Sequence, residues 1–385
     1  MAVSIGVAAF SAASATATAS FVGFWAAFAT NLALGLALRA LTPKPPKSGA
    51  NRGYQINAKG SALDHQIIYG KMRVGGVIVF DEATGENNKF LHRIIAYAGH
   101  EIQEFNEIYI NDEVITLDGS GNVTSPSRYN GFIRINKHLG TSGQAADSDL
   151  VSESTKWTLE HKLSGLAYLY IRLKFDADVF PNGVPNITTT IKGKKVYDPR
   201  DSSTAWSDNP ALCIRDYLIS SYGLAENVAN VDDALVITAA NICDQTNTLA
   251  STTRYTCNGA FVTSITPLDF LNDIITSFGG MLWYSQGKWR MKPAYFTSVQ
   301  LALTDDDLRS NIKISTRHSR RDNFNKVKGT FRGAESNWQV TDYPAITNTA
   351  FLLADNNQDS TIDFDLPFTD NSIEARRIAL IALER

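Results

Sequence analysis

An α+β fold is predicted for this chain, mainly β-barrel or β-sandwich domains with inserted helices, behind an apolar N-terminal helical segment. Three observations lead there. Between Gln66 and Val196, short runs rich in Val, Ile and Tyr recur between turn residues. Between Asn209 and Gly280 three helix starts appear, two with proline in the first turn. Ahead of both, Ala2 to Leu38 holds no charged residue.

A chain of 385 residues is too long for one ordinary core. Four sections are expected: an apolar segment and Pro/Lys linker (1–47), a β-rich domain (48–197), an α+β domain (198–332), and an extended segment opening a further helix or domain (333–385). Hydrophobic content of 44% with 19% charged residues excludes a disordered chain. A net charge of -3 excludes a global basic field that would hold nucleic acid non-specifically.

The elements follow in order. Pro43 to Ser61, rich in Pro, Gly, Lys and Asn, reads as a linker. Ile67-Ile68-Tyr69 and Val77-Ile78-Val79-Phe80 flank a Gly70 to Gly76 turn and read as paired strands. Phe90 to Ala98 is β-prone, and Glu107–Ile110 with Val114–Leu117 form a hairpin about Asn111-Asp112-Glu113. Phe132–Ile135 alternates, while the polar stretch Gly140 to Ser154 reads as an exposed loop. Leu166 to Leu173 is apolar almost throughout, which predicts a strand buried on both faces. Ile187 to Val196 is a further strand.

Asn209-Pro210 then opens a helix with Leu212, Ile214, Tyr217 and Leu218 on one side, stopping at Tyr222-Gly223. A second begins at Asp232 and runs to about Cys243. Thr256 to Val262 is extended, and Thr266-Pro267 starts a third helix that stops at Gly279-Gly280. Met281–Tyr284 and Lys288–Pro293 read as a hairpin, Phe324–Phe331 as a strand, and Ser372–Arg385 as an amphipathic helix.

Within the uncharged N-terminus, Phe21 to Leu41 is the better helix, with Phe21, Phe24, Trp25 and Phe28 at helical spacing. It has the length of a membrane span but lacks the basic flank of a signal peptide. Three readings stand side by side: a membrane anchor, helices buried against sister subunits, or a segment that meets a membrane late. Its small residues favour close helix packing in each.

Chemistry-bearing motifs are sparse. The six histidines (65, 92, 100, 138, 161 and 318) lack HxxxH or HExxH spacing and read as ordinary surface or strand residues. Asp305-Asp306-Asp307 lacks the glycine and glutamate of a calcium loop and reads as a helix cap. Neither GxSxG nor a Walker A motif occurs. Cys213, Cys243 and Cys257 form no CxxC and are expected to be buried, reduced thiols. The basic cluster Arg317, Arg320 and Arg321 reads first as an exposed loop and second as a phosphate-facing patch. No catalytic residue, metal or cofactor is assigned.

Several words in fixed order carry a resemblance. They are Val196-Tyr197-Asp198-Pro199-Arg200, the helix Asn209 to Leu218 with Tyr222-Gly223-Leu224, and Cys243-Asp244-Gln245. Arg254-Tyr255-Thr256-Cys257-Asn258-Gly259, the Trp283 to Met291 hairpin and Asp322 to Val327 follow. Together they resemble the central region of lambda-type (J-like) bacteriophage tail-tip hub proteins. The family usually continues into receptor-binding modules that these residues do not match. The resemblance implies a virion protein of the tail tip, assembled in the host cytoplasm as a homotrimeric central ring. That ring would close the tail tube and adapt its sixfold symmetry to a threefold tip. Implied partners are tail-tube proteins, the tape-measure C-terminus, other tip and fibre proteins, genomic DNA in passage and the host membrane during ejection. A tail-associated cell-wall hydrolase and a membrane-anchored bacterial β-protein are the alternatives.

The apolar run generates a test. Phe24→Glu with Phe28→Glu is expected to impair particle assembly if the segment packs against sister subunits. If only membrane contact matters, particles assemble and adsorb but fail to eject DNA. Normal assembly and infectivity of the doubly charged variant would remove any role for the segment.

Overall fold

β-branched and aromatic residues at alternate positions suit a pleated, half-buried surface, and the section before α-helical structure begins is built from such strands. The computed structural model describes residues 55–60, 63–247, 252–298, 302, 304, 307 and 323–384, which belong to one compact unit spanning 48–385. Phe21, Phe24, Trp25, Phe28 and the cluster Arg317, Arg320 and Arg321 lie outside the described residues.

In chain order the first strands are β1 (Ala58–Lys59), β2 (Gln66–Tyr69), β3 (Lys71–Val74), β4 (Val77–Thr84), β5 (Phe90–Ala98) and β6 (Ile102–Ile110). After them come β7 (Glu113–Leu117), β8 (Val123–Ser125), β9 (Ile133–Leu139), β10 (Ala167–Lys174), β11 (Ile187–Asp198) and β12 (Ser203–Trp206). One sheet has the order β1-β4-β5-β10-β9; the other runs β12-β11-β6-β7-β8, with β3 also paired to β11. Ile95, Ile133, Leu169 and Ile171 of the first share one core with Ile102, Ile108, Ile187 and Ile191 of the second.

This is the sandwich of the expected pair, and among the described residues no closed barrel forms. Closure needs a continuous ladder, whereas among the described residues the two sheets are bridged edge to edge only at Asn122–Arg134. Strand β10 is buried on both faces as its apolar run predicts. Leu169 and Ile171 enter the main core. Tyr168 and Tyr170 enter a smaller one with Ile94, Leu150 and Trp157.

Two local expectations need correction. Gly70 to Gly76 does not join a strand pair: β2 pairs with a later strand, β4 pairs with β1 and β5, and the supposed turn contains β3. The charge of Arg73 disguised that strand, yet its guanidinium is buried and bonded to Thr188 Oγ1 (2.8 Å) and Asp112 Oδ1 (2.5 Å). Gly140 to Ser154 is not a simple loop either. It holds α1 (Ser148–Glu153), capped by Asp147 and anchored by buried Leu150. Its polar residues are caps and turn-formers, which composition alone cannot distinguish from a solvated loop. At the β6–β7 hairpin Asn111 and Asp112 both take positive φ (48° and 70°), the conformation for which Asn and Asp are preferred.

The helical section follows its capping signals closely. Asn209 caps α2 (Pro210–Ile219), Asp232 caps α3 (Asp233–Cys243), and Thr266 caps α4 (Pro267–Ile275). Around them run β13 (Thr246–Asn247), β14 (Thr252–Thr253), β15 (Gly259–Val262), and the hairpin β16 (Met281–Ser285) with β17 (Lys288–Lys292). A last layer comprises β18 (Lys326–Gly333), β19 (Gln339–Thr347), α5 (Thr349–Ala354), β20 (Thr361–Asp363) and α6 (Ser372–Glu384). Helix α2 is buried on almost every side, more than a one-sided stripe predicts. Its Tyr217 ring lies 4.0 Å from Phe270, which lies 4.1 Å from Phe261 on β15.

Pairing of β2 with β15 ties the sandwich to this second core. The chain crosses there with little room: a Cβ at Gly193 on β11 would lie 2.1 Å from the Ile68 carbonyl oxygen. Gly193→Ala is therefore expected to lose on the order of 3 kcal/mol or more in denaturant unfolding. An unchanged midpoint would mean that this crossing is not close.

Candidate functional site

Asp216 on α2 is the hub of the strongest polar cluster. Lys194 Nζ on β11 donates to both its carboxylate oxygens (2.9 and 2.8 Å), and the hydroxyls of Tyr69 (2.6 Å) and Tyr222 (2.5 Å) donate to Oδ2. Burial raises the Tyr69 and Tyr222 hydroxyls well above their usual range, with the Asp216 charge adding to it, so both remain donors at neutral pH. With every group engaged, the cluster is a lock between strand and helix.

The histidines are held in the same manner. His92 is buried with one ring nitrogen on Thr84 Oγ1 (2.7 Å) and the other on Tyr170 Oη (2.8 Å), and burial lowers its pKa. His100 accepts from Ile68 N (3.0 Å) and bonds Glu101 O (2.8 Å); burial pushes it down to about 4, so it stays neutral. His138 pairs with Asp147 (2.7 Å), the residue that caps α1. The His138–Asp147 pair has the spacing of a catalytic dyad, but its carboxylate also caps α1; His92 and His100 are held by cross-strand and backbone bonds. Among the described residues no group of three or more His, Cys, Asp or Glu is placed to hold a metal ion.

Cys213, Cys243 and Cys257 are buried free thiols, as expected. Burial raises Cys213 and Cys243 far above the reactive range. Among the described residues no helix is long and apolar enough to cross a membrane.

Two buried carboxyls escaped the sequence reading. Glu374 of α6 has its oxygens on Thr256 N (2.8 Å) and Thr256 Oγ1 (2.9 Å), and burial pushes it up to about 8. Asp370 is pushed up to about 6, again by burial. Only the amphipathic pattern of α6 hinted at this, because its partner lies 118 residues away. On the outside, large apolar side chains stand exposed at Leu159, Phe175, Leu268, Phe296 and Leu353.

Against this geometry, comparison with known proteins is informative. No family model matches the chain. It is 22% identical over 386 residues to the baseplate hub protein pb3 of Escherichia phage T5, an alignment covering 81% of this chain. The chain spans about two fifths of that relative's length (40%). A chain from the virion of a native gene transfer agent particle shares the fold, with a TM-score of 0.56 and 16% identity. That match covers 96% of this chain and 84% of the other. The likeness to the baseplate hub protein supports a phage tail or baseplate type of structural protein, the particle chain shows the fold alone, and neither is specific to the lambda-type family.

The raised Glu374 has a signed consequence. Its pKa is about 8 folded against 4.5 for an unperturbed carboxyl, so between these values the folded chain holds a proton that the unfolded chain releases. Stability from this group is full below about pH 4.5 and falls as pH rises towards 8. Glu374→Gln should flatten that decline, which is on the order of a few kcal/mol. Identical pH–stability curves for variant and parent would sink the assignment.

Proposed function

We propose that this chain is a structural hub subunit of a phage tail tip, forming a closed homotrimer at the distal end of the tail tube. The observation that carries the reading is the collinear likeness to a baseplate hub protein along 81% of the chain. The shared fold with a gene transfer agent virion chain and the ordered motifs from Lys195 to Val327 support it.

In this reading the sections 48–197 and 198–332 supply two hub domains per subunit, so three subunits present six to a sixfold tube. Symmetric closure explains why a protein with internally locked polar groups would still expose Phe175, Leu268 and Leu353. A ring interface would cover them. The N-terminal segment with Phe21, Phe24, Trp25 and Phe28 lines the lumen or meets the host membrane at ejection. Arg317, Arg320 and Arg321 are the candidate contacts to passing DNA. The tape-measure protein and neighbouring tube and fibre proteins are the partners, and the role is non-enzymatic.

Residues 48–385, which form one compact unit, should run as three copies by light scattering. A monomer at high micromolar concentration counts against the trimer. Clearing of peptidoglycan in a zymogram would favour the hydrolase alternative.

A further inference from the structure

Beside the C-terminal helix lies a groove of about 320 Å³, lined by Arg254, Tyr255, Tyr295, Phe296, Arg377 and Ile381. Three pieces of chain build it. Helix α6 contributes Arg377 and Ile381, the stretch between β14 and β15 contributes Arg254 and Tyr255, and the segment after β17 contributes Tyr295 and Phe296. Its walls are pinned together without any ligand. Tyr255 Oη donates to Ala294 O (2.8 Å), and Glu374, three residues before Arg377, is bonded to Thr256.

Each of the two arginines lies over an aromatic ring. Arg254 Cζ lies 5.2 Å from the Tyr295 centroid, and Arg377 Cζ lies 5.1 Å from that of Tyr255. Arg254 Nε, Arg377 Nε and Arg377 Nη2 are shut off from solvent inside the wall of the groove, which leaves the remaining guanidinium nitrogens as the donors open to a ligand. Among the described residues no carboxylate lies within ion-pair distance of either arginine. Glu374 does not neutralise Arg377, because burial leaves that carboxyl mainly protonated at neutral pH. A guanidinium with no carboxylate of its own is matched by one from outside through charge-assisted hydrogen bonds. Phe296 beside them is 89% exposed, a large apolar surface next to two cations.

We propose that this groove docks an acidic peptide segment of a partner protein. An Asp or Glu carboxylate of the partner bonds to Arg254 and Arg377, and a neighbouring apolar side chain covers Phe296 and Tyr295. Charge complementarity selects the occupant. Two cations in a small groove answer one or two carboxylates, whereas a nucleic-acid strand needs a longer basic track. The proposal stands apart from the hub reading, since it uses only the groove.

The test uses the full chain and a fluorescein-labelled hexapeptide, Gly-Phe-Glu-Glu-Leu-Gly, followed by fluorescence anisotropy. Saturable binding is expected, weaker by roughly tenfold for the Gln-Gln version of the peptide and for Arg254→Gln or Arg377→Gln. Phe296→Ala, at an exposed position that folding does not need, should weaken binding too. Melting curves confirm that each variant is folded; should both arginine variants fail to fold, Phe296→Ala and the peptide pair still decide. No saturable binding up to millimolar peptide, equal affinity for acidic and amide peptides, or folded variants that bind unchanged would overturn the proposal. Tighter binding of a dT oligonucleotide than of the acidic peptide would overturn it in favour of nucleic acid.

Discussion

The partly buried carboxylate of Asp216 is the constraint on which the rest of the structure depends. A carboxylate taken out of water must be answered by charge and hydrogen bonds, and here Lys194, Tyr69 and Tyr222 supply both. Those partners come from β11, β2 and the turn after α2, so the cluster sets where the first helix sits on the sandwich. Such a cluster adds less net stability than its short bonds suggest, because desolvation offsets much of the attraction. Its effect is on geometry: any other placement of α2 would leave a charge without a partner.

From that point the two cores are arranged by packing. Ile68 and Tyr69, adjacent on β2, point to opposite faces, so Ile68 enters the sandwich core while Tyr69 enters the helical one. β15 extends β2 and brings Phe261 to within 5.8 Å of the Tyr69 ring. Phe368, ahead of α6, closes on Phe270 at 5.6 Å. The last helix is thereby brought against Tyr255, and the arginine-lined groove is a product of that closure.

Several polar side chains that could carry chemistry are instead spent on holding the fold. The histidine and carboxylate pairs illustrate this. His92 spends both ring nitrogens on neighbours, and Asp147 is a helix cap as well as a partner of His138. General acid–base work needs a ring nitrogen free towards a substrate, and both of those of His92 are already taken by Thr84 and Tyr170.

Much of this architecture was legible in the chain because it depends on neighbours in sequence. Helix starts at Asn209, Asp232 and Thr266 were readable since a cap bonds two or three residues onward. The double burial of β10 followed from a nearly continuous apolar run, and the Asn111-Asp112 turn from its φ preference. What stayed hidden depends on distant partners. Lys71 to Val74 looked like a turn because nothing local reveals that Arg73 finds Thr188, 115 residues away. Sandwich against barrel could not be told apart, since alternation along a strand is the same in both and only the ladder between edge strands decides. The groove was equally unreadable: Arg254, Tyr295 and Arg377 share no local spacing, and only the folding of α6 onto the β14–β15 stretch makes them one surface.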